Sequence, residues 1–257
     1  MAKRRRKWDA TVYQRFIREG RGQGSGVNYK PWITIQDFAS RGMVSRVKGK
    51  TTGRIHHLMS NYETNLFFLL DWSDNVTDIR EQYPLSNLSD IIAIAEKAQI
   101  RYPFDPISGF PYVMTSDFCI ETPFGTETIS VKLSSELVKP RVREKLEIER
   151  RYWQSQGIKW RIITENEIDV SKARKIEWLA QAKNLADFGM NDDIQGKCLL
   201  FFVEAFPHYL GLLDALFLET EKAFGLCAGM GLNVYKHLAY HKQIHIDIHA
   251  PIMATSA

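Results

Sequence analysis

The 257 residues predict an α/β fold, a central mixed sheet with helices on its faces, followed by a smaller helix-rich unit that ends in a β-hairpin. Two observations carry that expectation. Between residues 60 and 165 the apolar pattern switches repeatedly, in the order helix, strand, helix, two strands, helix, strand, and layering a sheet against helices buries such a set. After about residue 166 the texture changes to three helical segments and then two short strands. The expected domains are therefore 1–165 and 166–257.

The elements follow in order. Segment 20–26, Gly-Arg-Gly-Gln-Gly-Ser-Gly, reads as a flexible loop, because no strand precedes it and no Gly-Lys-Ser/Thr follows to make a phosphate cradle. Ser60 caps a helix whose third following residue is Glu63, with Leu66, Phe67, Leu69 and Leu70 as its apolar face. Val76 to Tyr83 alternates and stops at Pro84, which marks a strand. Ile91 to Gln99 is helical and Arg101 to Pro111 a loop. Tyr112 to Glu121 and Glu127 to Leu133 form a hairpin about Thr122-Pro-Phe-Gly125. Arg141 to Gln156 is a charged helix ending at Gly157, and Ile158 to Thr164 is a strand. Beyond it, helices are expected near 171–186, 191–204 and 208–228, with strands around 232–240 and 243–249. Three helices and a hairpin describe a winged-helix-like domain. Glu219 and Glu221, expected to start its last helix, oppose DNA binding there and favour docking to another protein.

Composition narrows the partners. A 44% apolar content suffices for one large core or two modest ones. No run of about 18 apolar residues could span a bilayer, and Met-Ala-Lys-Arg-Arg-Arg-Lys at the start lacks a secretory apolar stretch, so a soluble cytoplasmic protein without a membrane partner is expected. Cys119, Cys198 and Cys227 match neither a disulfide framework nor a zinc spacing. The net charge of +4 is unevenly spread: residues 1–55 hold 14 Lys and Arg against 3 Asp and Glu, and the remainder 20 against 27. A positive front section on an acidic protein suits a polyanion, nucleic acid first, since each phosphate neutralised releases counterions.

One constellation carries chemistry. Glu63 opens a helix, Asp117 lies within a strand between apolar neighbours, and Ser130-Val131-Lys132 occupies the next strand. Asp is depleted in strands and costly to bury there without a metal or partner, and the hairpin brings Asp117 beside Lys132. Two carboxylates and a carbonyl suit a hard cation that polarises a phosphodiester, while the lysine orients water or offsets developing charge.

The chain also resembles the TnsA endonuclease family of heteromeric cut-and-paste transposons. The resemblance rests on Glu19-Gly-Arg-Gly-Gln-Gly24, Tyr29-Lys-Pro-Trp32, Thr52-Gly-Arg-Ile-His-His57, Asp78-Ile-Arg-Glu-Gln82, Ser116-Asp-Phe118, Val131-Lys132 and Glu144-Lys-Leu-Glu-Ile-Glu-Arg-Arg-Tyr-Trp153. It implies a restriction-endonuclease-like (PD-(D/E)xK) nuclease domain, then a winged-helix-like one. It implies cutting of the 5′ strands at transposon ends beside a partner transposase with a three-carboxylate site, under an AAA+ ATPase regulator, in a bacterial cytoplasm. By motif match Glu63, Asp117 and Lys132 are catalytic. Glu63, Asp117, the Val131 carbonyl and Ser130 form the expected shell of Mg²⁺, taken as two ions for which Mn²⁺ substitutes. Ser130 stands where the familiar member has Gln, and its shorter hydroxyl is a weaker ligand. A non-catalytic assembly module and a standalone restriction-type nuclease are the alternatives.

Other residues carry two readings each. His56 and His57 are either ligands or helix-entry and phosphate contacts. Glu147 and Glu149 lie in a salt-bridged helix, one of whose acids can approach the metal site. Tyr29 and Trp32 either pack in the core or against DNA. His237, His241, His245 and His249 along the expected hairpin are read as solvent-facing, with zinc the alternative.

Overall fold

The structure, a computed structural model, describes residues 8–37 and 43–249. The basic run at residues 3–7 lies outside them. Two compact units divide at Asp169 and Val170.

In the first unit, helix α1 (Ala10–Arg18) starts at Asp9, whose side chain accepts from the Val12 amide, and strands β1 (Ser45–Lys48) and β2 (Ile55–Leu58) form an antiparallel pair. Helix α2 (Asn61–Asp71) begins where expected, with the Ser60 hydroxyl accepting from the Glu63 amide. Strand β3 (Asp78–Pro84), helix α3 (Leu88–Lys97), strands β4 (Thr115–Thr122) and β5 (Gly125–Val131), helix α4 (Pro140–Ser155) and strand β6 (Lys159–Ile163) follow. The sheet runs β3-β4-β5-β6. Its first two pairings are antiparallel and the last parallel, so the sheet is mixed, as the pattern predicts. Helices α3 and α4 share a core of Ile91, Ala95, Ile148, Tyr152 and Trp153 with Leu85 and Tyr102.

The glycine loop is built rather than slack. Gly20, Gly22, Gly24 and Gly26 all have positive φ, and the Gly22 and Gly26 amides donate to the Lys30 carbonyl and the Asp78 carboxylate. A Cβ on Gly22 would run into the Pro84 ring, so only glycine fits there.

The second unit consists of helices α5 (Val170–Ala180), α6 (Asp192–Ala205), α7 (Leu213–Phe224) and α8 (Met230–Tyr240). It contains no strand among the described residues, which corrects the expected hairpin at 232–249 and leaves the winged-helix-like domain without its wing. The physical reason is periodicity: Met230, Val234, Tyr235, Leu238 and Ala239 are buried at helical spacing. Glu221 sits inside α7, and its carboxylate accepts from the Gly231 amide, so it acts as a helix-joining acceptor. His237 and His241 are one turn apart on α8, rings 4.4 Å apart, and face the Ala182 and Lys183 carbonyls. Where α7 and α8 meet, a Cβ on Gly231 would lie 2.6 Å from Phe217 Cα and closer still to its carbonyl oxygen. Gly231→Ala is accordingly expected to force the helices apart and destabilise this unit by about 1–3 kcal/mol, read as a lower melting transition.

Candidate active site

The helix start, the two central strands and the segment after β5 converge on one cluster. Asp117, inside β4, accepts through Oδ2 from the Val131 amide at 2.6 Å and the Lys132 ammonium at 2.8 Å. The same ammonium donates to the Val131 carbonyl at 2.8 Å. The Lys132 amide is pinned to the Ile163 carbonyl at 3.0 Å, extending the β5–β6 ladder by one residue and fixing where the side chain emerges. Asp117 and Lys132 are only partly covered, with 13% and 34% of their side chains exposed, so the cluster opens to solvent on their side.

Glu63 enters from α2. Its carboxylate accepts from the Met59 amide at 2.9 Å and the Ser60 hydroxyl at 3.0 Å, so the capping motif that starts the helix also orients the acid. Burial, and then the negative charge of Asp117, push its pKa up to about 7. Burial works against the Lys132 ammonium, but the neighbouring Asp117 outweighs it and holds its pKa above the usual lysine value.

The donor set fits a divalent cation. Two carboxylates stand close enough for one to resist the other's ionisation, which is the electrostatic demand a divalent cation meets. The Asp117 carboxylate and the Val131 carbonyl already share one positively charged group, the Lys132 ammonium. Among the described residues no group of three or more His, Cys, Asp and Glu is placed to hold a metal. A cation here would therefore rest on two carboxylates and a carbonyl, leaving positions for water and phosphate, as Mg²⁺ commonly does.

Ser130 is directed elsewhere. Its hydroxyl, 1% exposed as a residue, donates to Glu149 at 2.5 Å. Glu149 also accepts from Ser116 at 2.5 Å and from the Trp160 ring N–H at 3.0 Å, and burial raises its pKa despite those bonds. Of the two acids considered on α4, Glu149 is the one that feels Asp117 and Lys132, while Glu147 pairs with Arg150 and Arg151 on the outer face. Its place was readable: Leu146, Glu149 and Trp153 form one buried stripe.

His56 and His57 lie in β2. His56 is fully buried, with Nδ1 at 2.8 Å from Glu81 and Nε2 at 2.7 Å from the Thr52 hydroxyl. The order acid, imidazole, hydroxyl is that of a hydrolytic relay, but Thr52 is itself buried, so no substrate reaches it. Burial lowers the His57 pKa. Tyr29 and Trp32, each 3% exposed, are core residues, and the Tyr29 hydroxyl donates to the Glu81 carbonyl. Gln82, noted in the sequence only as the end of the Asp78-Ile-Arg-Glu-Gln82 motif and given no site role there, is a buried residue with φ 47° whose amide lies 3.5 Å from Glu63.

The front section's charge is partly spent inside the unit. Arg21 pairs with Glu19 and Asp37 and lies over the Phe16 ring, while Arg54 is buried against Glu81. Arg15, Arg18, Lys30, Arg46, Lys48 and Lys50 remain exposed.

Comparison with known proteins places the chain in a family. A family model described as TnsA-like endonuclease N terminal matches residues 73–165, a span that holds Asp117, Val131, Lys132 and Glu149, with Glu63 just before it. A second, TnsA endonuclease C terminal, matches residues 167–248. The Transposon Tn7 transposition protein TnsA of Escherichia coli is 43% identical over 186 residues, covering 71% of this chain and 67% of that protein. Two models of one family match in order, and the identity extends across most of the chain: it belongs to the TnsA endonuclease family.

Proposed function

We propose that the chain is a Mg²⁺-dependent DNA endonuclease that cuts the 5′ strands at transposon ends, with a partner transposase carrying a three-carboxylate site and an AAA+ ATPase regulator. The observation that carries this reading is the convergence of Asp117, Lys132 and the Val131 carbonyl on one point, with Glu63 close enough to feel the Asp117 charge.

Glu63, Asp117 and the Val131 carbonyl would hold the Mg²⁺, one ion or two, and Mn²⁺ would serve in its place. When bound, the cation polarises the phosphate and makes its water a stronger nucleophile. Lys132, held between Asp117 and the Val131 carbonyl, supplies a fixed positive charge beside the scissile phosphate. Ser130 and Ser116 hold Glu149 behind the strands, and this supports the backbone from which Asp117 and Val131 act. The exposed cations of the first unit offer phosphate contacts that set DNA register rather than sequence. The helical second unit presents Leu210, Leu212 and Leu218 at its surface, which favours docking of the transposase or regulator there. An assembly module stripped of chemistry would have no need to keep the catalytic groups in contact. No helix among the described residues is long and apolar enough to cross a membrane.

The test is strand-specific. Transposon-end duplex labelled separately on each strand, incubated with the protein and its co-encoded transposase and regulator, should show 5′-strand cutting in Mg²⁺ or Mn²⁺ and none with a chelator. Cutting of the 5′ strand that persists after chelation, or is absent with both metals, would overturn the proposal.

A further inference from the structure

Strand β3 breaks its pairing at one residue. Glu81 faces Phe118 and Tyr83 faces Ser116, but Gln82, at the position across from Asp117, has no place in the ladder. Its φ is 47°, the left-handed region that side-chain-bearing residues seldom adopt, and it is 5% exposed. Its carbonyl, turned out of the sheet, accepts instead from the Trp32 amide at 3.3 Å. Backbone in such a conformation persists only where its surroundings over-determine it, and such positions gather at functional sites.

The side chain shows what this break in the ladder serves. The Thr115 hydroxyl donates to Gln82 Oε1 at 3.0 Å, which fixes the amide's orientation and leaves Nε2 facing Glu63 Oε2 at 3.5 Å, the outer limit of a hydrogen bond. At the position across from Asp117, the side chain thus meets the other carboxylate of the site. Glu63 Oε2 then lies between the Met59 amide and this side chain. We propose that Gln82 is the positioning residue of this centre: anchored by Thr115, it sets the orientation in which the Glu63 carboxylate meets the cation. This rests on the cation-dependent reading above and deepens it, since that reading assigns no role to β3.

The probe is Mn²⁺ itself. Its binding to the free protein, followed by electron paramagnetic resonance, is compared for wild type, Gln82→Met, Gln82→Gly, Thr115→Val and Asp117→Ala, alongside the Mg²⁺ dependence of 5′ cutting. Gln82→Met keeps the length and removes the amide. It is expected to weaken Mn²⁺ binding about tenfold, and to raise the Mg²⁺ concentration for half-maximal cutting by the same factor while the maximal rate falls less. Gln82→Gly relieves the backbone and should melt no lower than wild type, yet show the same loss of affinity, which a purely structural role would not produce. Thr115→Val should fall between. Mn²⁺ affinity within twofold of wild type in either Gln82 variant overturns the inference while leaving the endonuclease reading intact. Wild-type Mn²⁺ binding that Asp117→Ala fails to diminish overturns both.

Discussion

Asp117→Ala is expected to abolish 5′-strand cutting, by about 10³-fold or more, while leaving the fold and the transposase's cutting of the other strand in place. The size follows from how much converges on this carboxylate. Its Oδ2 receives the Val131 amide and the Lys132 ammonium, so the substitution removes the proposed cation ligand and releases the lysine together. Loss of one preorganised electrostatic group alone costs about 10²–10³-fold. Asp117→Asn should fail almost as badly, because it preserves shape and loses the charge. Both variants should melt near wild type, since the Asp117–Lys132 pair is partly exposed and such pairs contribute little to stability. A second consequence separates a disrupted site from a damaged protein. The Glu63 pKa of about 7 is raised first by burial and then by Asp117, so in the variant it should fall without returning to the ordinary value, because the burial remains. Carbon-13 NMR of the labelled Glu63 carboxyl would follow this. Unchanged 5′ cutting by Asp117→Ala would remove the proposed centre, whatever the titration shows.

How much of this was legible in the sequence depended on whether a local rule coincided with the tertiary need. Ser60 and Glu63 satisfied the capping pattern, and the Ser60 hydroxyl that caps the helix also orients the Glu63 carboxylate, so the helix start and the candidate acid coincide. The Thr122 to Gly125 turn fixed the hairpin, and with it the approach of Asp117 to Lys132. Segment 230–240 was misread because Val234, Tyr235 and their neighbours have strand propensity, whereas burial at helical spacing decided the outcome. Helix α1 and the β1–β2 pair went unread, being short elements in a stretch whose basic residues and glycines mask any periodicity. Ser130 entered the expected metal shell by motif match, though its short hydroxyl already marked it as a weaker ligand, and in the structure that hydroxyl serves Glu149, a partner 19 residues away. Gln82 stood in the Asp78 to Gln82 motif, but its site role was not legible, because nothing in Glu-Gln-Tyr announces a left-handed residue in a strand. Counting charges likewise could not reveal that Arg54 is an interior cation.

That interior cation supports the second large prediction: Glu81→Ala should cost the first unit about 3–5 kcal/mol, a large share of the stability of a typical domain. Glu81 is fully buried and accepts from Arg54 Nη1 at 2.8 Å and again from Nη2, from His56 Nδ1 at 2.8 Å and from the His57 amide at 3.1 Å. Arg54 in turn donates to the Ile79 carbonyl, and its guanidinium lies 5.0 Å from the centre of the Tyr29 ring. Truncating the acid strands a buried guanidinium, which costs far more than a lost contact. Burial alone would raise the Glu81 pKa, but the bonds from Arg54 and His56 outweigh it and bring it down to about 2. A carboxylate depressed in the folded state stabilises it above the unfolded pKa, near 4.3, and that contribution of about 3 kcal/mol is lost as pH falls from there toward 2. Thermal melts of wild type should therefore weaken steeply across that window, and Glu81→Gln, with no proton to gain, should show a flatter acid limb from a lower plateau. Because Glu81 adjoins Gln82 on β3 and grips the strand that leads into α2, the same network fixes the spacing between Gln82 and Glu63. Glu81→Ala melting within about 2 °C of wild type would mean the ion pair is not what holds β2 to β3, and the positioning of Glu63 would have to be sought in the sheet alone.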